Sequence, residues 1–272
     1  KVDAFHVGQF IYLWEMVTAY AGLMLNIDAY DQPAVETGKV ATFGLIDGGR
    51  RQGQKFWEET GGIKKMFVRE LDAREMKQNA VEKKSKGLTY DDALALKAQA
   101  TTLELVEPTM ERREIVKAPG FEKELEVAGS TPTYEHMYDF HPVEGRFPTA
   151  EDLARSSKVV VLGSTRREQL CGGPPGVGQA ISIGAVRYTV VGVMERKEFY
   201  WNSANRNALE WMNEMMFLPV TSVITRMMGD RENQKVAYIN VQVRDVKDME
   251  KATDEVKAIL KRAYGGVEDF QV

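Results

Sequence analysis

Within residues 158–193 three short runs follow one another: Val159-Val160-Val161-Leu162, Ala180-Ile181-Ser182-Ile183 and Tyr188-Thr189-Val190-Val191-Gly192-Val193. Each is the length of a strand rather than a helix, and each is rich in the β-branched and aromatic residues that fit a pleated surface. Gly184-Ala185 separates the last two with room for a two-residue hairpin connection. Met215–Val220 (MMFLPV) is a further candidate strand. This block reads as a small antiparallel β unit. Lying in mid-chain, it limits the fold to those that can host it between other elements.

The flanks differ in kind. Upstream, Asp47 can cap a helix carrying Phe56 that Gly61-Gly62 closes, and Ile63–Val68 reads as a strand. Residues 69–86 are charged and mixed, which fits a solvated hairpin or helix. Thr89 is a good N-cap for a second helix, with Asp91 and Asp92 in its first turn and Leu94 and Ala98 following on one face. Leu103–Pro108 and Phe121–Ala128 read as strands. Downstream, Val236–Val243 alternates as a strand. Asp248–Tyr264 places Met249, Ala252, Val256, Ile259, Leu260 and Ala263 on one helical face before Gly265-Gly266, and Phe270–Val272 reads as a terminal strand. The order is αβ, then β, then βαβ, which fits an α+β domain split by an inserted β-rich domain.

Charge and cysteine content narrow the function classes. Thirty-six basic against 40 acidic residues give a net charge of −4, which disfavours nucleic-acid binding through a basic surface. Cys171 stands alone, so an intrachain disulfide framework and a multi-cysteine zinc site are both excluded. The most apolar stretch, Phe10–Ile27, is near the minimum length for a membrane span, yet it carries Glu15, Thr18 and Asn26. Its helical spacing at Leu13, Val17, Ala21 and Met24 fits a packed helix better than a span, and it lacks the basic leader of a signal peptide.

Candidate chemistry is sparse. The run Gly172–Gly178 (GGPPGVG) lacks the Lys-Ser/Thr of a phosphate loop and precedes a strand, so it reads as a connection between β elements, with no cofactor implied. His136, Asp139 and His141, with Glu135 and Glu144 nearby, offer metal ligands, but at a spacing that fits no recognised zinc motif. They support an alternative reading as a soluble metal-dependent hydrolase, against ordinary hydrogen-bonded loop histidines. Cys171 and the serines Ser156, Ser157 and Ser164 lack the surroundings of a nucleophile. Phe199, Tyr200 and Trp201, with Trp211 and Met212, form an aromatic and methionine group around a polar stretch, Asn202–Asn207. Such residues are overused on adaptable contact surfaces, so they are candidate contacts to a partner or substrate, against a local core role. That group also supports a third reading, a stand-alone partner-binding protein.

An ordered series of motifs resembles the MacB-like periplasmic core domain of ABC transporter permeases, the group that includes LolC-type permeases. Leu88–Asp92 looks like the family's helix start, and Gly145-Arg146-Phe147 with Glu151-Asp152 looks like its "GRFF…ED" turn. Val159–Gly163 looks like its central strand, and Leu170–Gly173 with Gly176–Gln179 resembles "LFG…PVGK". Ile181–Gly184 through Tyr188–Val193 resembles "I.I.G..F.VVGV", and Phe217–Thr221 resembles the "IP..T" step. Asp47–Gln52 is similar to the stalk helix that leaves the first membrane span. Two departures stand out: residues 1–38 match nothing in the family, its first span included, and Cys171 sits where a larger apolar residue is usual.

The resemblance implies a porter-like α+β lobe, discontinuous over 39–127 and 231–272, and an inserted β-rich, sabre-like lobe over 128–230, with 1–38 unassigned. It implies a non-catalytic extracytoplasmic domain of a cell-membrane protein, transmitting ATPase-driven motion of membrane helices to an exported substrate or partner protein. The implied partners are an ABC ATPase subunit, met through the membrane part of the full-length protein, and a periplasmic partner protein or substrate. No metal or nucleic acid is implied, and a homodimer of the full transporter is compatible with it.

Overall fold

The computed structural model describes residues 54–56, 58–71, 87–200, 206–228 and 234–272. The chain divides into residues 1–55 and a unit of residues 56–272, and all the described strands lie in the second. The apolar run at 10–27, most of the helix expected after Asp47, and residues 72–86 lie outside the described residues.

Two sheets share one strand. The first runs β10 (Phe270–Gln271), β1 (Lys65–Glu70), β9 (Tyr238–Val243) and β2 (Leu103–Ala118), all antiparallel. Helix α1 (Tyr90–Gln99) and helix α7 (Met249–Ala263) pack with this sheet. Thr89 caps α1, as its sequence position led one to expect, and Asp92 completes a reciprocal box. The apolar residues that α1 buries are Ala93 and Leu96, while Leu94 and Ala98 are exposed. Ala252, Val256, Ile259 and Leu260 of α7 are buried, as the apolar stripe requires.

Strand β2 is 16 residues long, well past the expected end at Pro108. Leu103–Thr109 pair with β9, and Met110–Ala118 pair with β3 (Phe121–Ser130) in a long hairpin. Proline is tolerated in a strand where its nitrogen meets no ladder partner, and β3 begins pairing only at Met110.

From β3 the pairings close into a ring. β3 pairs with β8 (Met216–Pro219), β8 with β5 (Val159–Leu162), β5 with β7 (Val186–Met194), β7 with β6 (Ala180–Ile183), and β6 returns to β2 at Val116 and Lys117. β4 (Pro142–Gly145) adds to the free edge of β7. The β6–β7 connection is the two-residue turn expected at Gly184-Ala185, with Ile183 opposite Val186 and Gly184 at φ +57°.

The ring corrects the antiparallel reading of this block, because β3–β8 and β5–β7 run parallel. A parallel pair needs a crossover, and helix α4 (Ser164–Cys171), unread in the sequence, lies on the path from β5 to β7. The short helices α2 (Thr133–Met137), α3 (Ala150–Ala154), α5 (Glu210–Asn213) and α6 (Val220–Arg226) complete the unit.

Alternation along the strands sorts the core. Val160, Leu162, Met216 and Leu218 face one apolar cluster, continuous with the residues under α1 and α7. Val161 and Phe217 face a second cluster with Tyr134, Met137, Phe140, Phe147, Phe199 and Met212. The fold is α+β.

Candidate functional site

The aromatic and methionine group divides between core and surface. Asn213, fully buried, accepts a hydrogen bond from Lys197 N (2.9 Å) and donates to Lys197 O (2.8 Å). Asn207 accepts from Phe199 N (2.9 Å) and donates to Lys197 O (2.9 Å). The two amides pin residues 197–199 so that Phe199 turns inward, edge-on to Phe56 at 5.4 Å. Phe199 and Met212 are buried, which removes them from any contact surface of this conformation. Tyr200 and Trp211 are 49% and 46% exposed. Trp211 borders a hollow of about 210 Å³ with Arg166, Glu214 and Met215. Trp201 lies outside the described residues.

The geometry of the histidine group does not favour the metal-hydrolase alternative. His141 Nδ1 lies 3.0 Å from Glu135 Oε1, and Nε2 lies 2.9 Å from Asp139 Oδ1. The Glu135 hydrogen bond, then that of Asp139, raises the His141 pKa. Both ring nitrogens thus face carboxylates rather than an open ligand position. His136 stands off, 6.5 Å from His141 between ring centroids. Among the described residues no group of three or more His, Cys, Asp or Glu side chains is placed to hold a metal ion.

Cys171 and the glycine run also belong to structure. Burial pushes the Cys171 thiol up, against the pull of Arg167, and the side chain packs on the main core. A raised pKa disfavours the reactive thiolate. The Gly172–Gly178 loop joins α4 to β6, and Gly176 N donates to Glu144 Oε2 at 3.2 Å. A carboxylate already takes the backbone donor that a phosphate would use.

Two features emerge only in the fold. The first is Glu107, fully buried in β2 where the strand passes from one sheet to the other. Thr131 N donates to its Oε1 at 2.8 Å, and Thr131 Oγ1 bonds its Oε2. Burial raises its pKa to about 8, against the Thr131 hydrogen bonds and the attraction of Lys97. Its only signal in the sequence was a carboxylate among apolar residues in Leu103–Pro108.

The second is a cleft of about 330 Å³ between α1 and the segment that carries Thr131, Pro132, Thr133 and α3. Val106 and Pro108 of β2 form its floor. Two reciprocal caps fix its walls, Thr89 with Asp92 on α1 and Thr149 with Asp152 on α3. Burial works to raise the Asp152 carboxyl, but the ion pair with Arg146 and the hydrogen bonds from Thr149 draw it down to about 2.

These features describe a non-repeating α+β unit with two conjoined sheets. The family model of the MacB-like periplasmic core domain matches residues 39–259. The chain belongs to that family, a domain of ABC transporter permeases. It is 24% identical over 177 residues to the macrolide export ATP-binding/permease protein MacB of Bdellovibrio bacteriovorus, covering 65% of this chain and 26% of the relative. It is 27% identical over 189 residues to the pyoverdine export ATP-binding/permease protein PvdT of Pseudomonas putida, covering 68% and 27%. The chain thus spans about a quarter of these relatives' length.

Two solved structures share the fold. The periplasmic region of MacB from Actinobacillus actinomycetemcomitans has a TM-score of 0.63 at 17% identity, covering 79% of this chain and 89% of that one. The extracellular domain of the noncanonic ABC-type transporter YknZ from Gram-positive bacteria has 0.61 at 16% identity, covering 76% and 98%.

Proposed function

We propose that this domain lies outside the cytoplasm between membrane helices of an ABC permease and passes ATPase-driven motion to an exported substrate or partner protein. The observation that carries this reading is β2. A 16-residue strand extends roughly 50 Å, and it belongs to the first sheet at one end and the ring at the other. A displacement applied to the first sheet therefore reaches the ring through an unbroken covalent and hydrogen-bonded strut.

In this reading residues 39–127 and 231–272 form a porter-like lobe and 128–230 an inserted, sabre-like lobe, with the β2–β3 hairpin of the first running into the second at Ala128–Ser130. Residues 1–38 stay unassigned. The domain breaks no bond itself; ATP hydrolysis takes place in an ATPase subunit or domain met through the membrane part of the protein, in the cell membrane. Among the described residues no helix is long and apolar enough to cross a membrane. The named relatives export a macrolide or pyoverdine; export is carried over here, the cargo is not. Tyr200 and Trp211 are the outward members of the contact group, and Trp201 belongs to the same proposal.

Insertion of Gly-Gly between Thr109 and Met110 in the intact transporter tests the strut. The expected result is ATPase activity retained and transport lost, in a protein whose isolated domain still melts cooperatively. Transport at the wild-type rate would overturn the reading.

A further inference from the structure

We propose that the cleft between α1 and α3 is a binding site for a small monocarboxylate with an apolar body. The proposal stands apart from motion transmission and concerns what the domain holds. The lining is largely apolar: Leu94, Val106, Pro108, Pro132 and Leu153 surround the hollow. At about 330 Å³ it falls within the size range of small-molecule pockets, and it lies where two parts of a fold meet, a common place for them.

The polar groups define the ligand. Lys97 is the one charged side chain among the lining residues. It makes no ion pair among the described residues, whereas Asp152, Glu151 and Glu144 nearby in sequence or space to α3 and β4 are each taken by an arginine. The phenol of Tyr90 and the hydroxyl of Thr133 also line the cleft, and neither makes a hydrogen bond among the described residues. A carboxylate matches an unpaired ammonium and two free hydroxyl donors.

Glu107 lies behind Thr131, and its carboxyl, held to about 8, is uncharged near pH 7. It therefore sets no opposing charge against an anion there. Thr131, anchored twice by Glu107, keeps the adjoining wall in place before a ligand arrives.

Calorimetric titration of the whole 272-residue chain with decanoate, decanol, decyltrimethylammonium and N-acetyl-leucyl-leucine tests the site. Saturable one-to-one binding of decanoate or of the peptide acid, at least fivefold tighter than decanol and with the cation weakest, is the expected result. Which of the two acids binds tighter separates a fatty acid from a peptide C-terminus as the source of the carboxylate.

Lys97→Gln should weaken the bound acid about fivefold and leave decanol unchanged, as loss of one partly exposed ion pair would. Ala150→Trp, at an exposed position on the cleft wall, should abolish binding of both without changing the melting temperature. No saturable binding of either acid, equal affinity for acid and cation, or an unchanged affinity in Lys97→Gln would each overturn the proposal. Because the assay uses no ATP and no membrane, its failure leaves the motion reading untouched, and the reverse holds too.

Discussion

Buried Glu107 ties the stability of the fold to pH. In the unfolded chain its carboxyl titrates near the ordinary 4.5, and in the fold burial lifts it to about 8. The folded state therefore binds this proton more tightly, so the associated stability is complete below about 4.5 and is lost as pH rises through about 8. At about 1.4 kcal/mol for each tenfold change in proton concentration the loss saturates near ~5 kcal/mol, and local opening with water entry reduces it to ~2–3 kcal/mol.

Glu107→Gln removes the charge and keeps the geometry. The amide oxygen still accepts from Thr131 N, and the amide N–H can donate to Thr131 Oγ1, whose hydroxyl donates to Glu107 Oε2 in the wild type. Asn240, paired across from Glu107 on β9, has a buried Oδ1 with no hydrogen-bond partner among the described residues, so the substitution is chosen to cost no further hydrogen bond there. The assay is urea unfolding of both proteins at pH 5 and at pH 8.5. At pH 5 the two should agree within ~0.5 kcal/mol, and at pH 8.5 the variant should be more stable by ~2–3 kcal/mol. Parallel stability curves across that range would refute the reasoning, since they would mean that Glu107 ionises without penalty.

Three further outcomes are expected. Gly145→Ala should cost more than ~2 kcal/mol in thermal unfolding, because Gly145 holds φ +67° and an added Cβ would sit 2.0 Å from Val191 O; a cost under ~0.5 kcal/mol would count against this placement of β4 beside β7. Burial works to raise the Glu255 carboxyl, but hydrogen bonds from the hydroxyls and backbone amides of Thr102 and Thr101 overcome it and hold it down to about 2. Its contribution, ~1–2 kcal/mol, is present above about 4.5 and lost as pH falls toward 2; Glu255→Gln should flatten the acid limb of the stability curve, and an unchanged limb would sink the assignment. Tyr200→Ala with Trp211→Ala should leave the melting temperature of the domain in place and lower transport by the intact protein, and full transport would remove these two as contacts.

The elements that could be read from sequence were those whose signals are local. Thr89 with Asp92 three residues on announces a helix start by side-chain chemistry alone, and the two-residue spacing at Gly184-Ala185 announces a hairpin. The apolar stripe of α7 is likewise local. What stayed hidden depends on distant partners. Helix α4 (STRREQLC) has few apolar residues and is held in place by the ring around it. Strand β2 outruns Pro108 because of when β3 joins it, a fact about another segment.

The same contrast governs the site. Phe199 and Tyr200 are neighbours of similar character, and only the grip of Asn207 and Asn213 on residues 197–199 decides that one is core and the other surface. The cleft is assembled from α1, β2, residues 131–133 and α3, which are separated by up to about sixty residues and share no motif. Glu107 reads as an ordinary strand charge until the ring and Thr131 close over it.

Hydrogen exchange of the intact transporter in membranes, with and without ATP turnover, tests motion transmission most directly. The account predicts that turnover changes amide protection in this domain, at the β2 crossing around Thr109-Met110 and in the cleft walls around 131–133 and 150–154. Identical exchange throughout residues 87–272 while transport proceeds would contradict it.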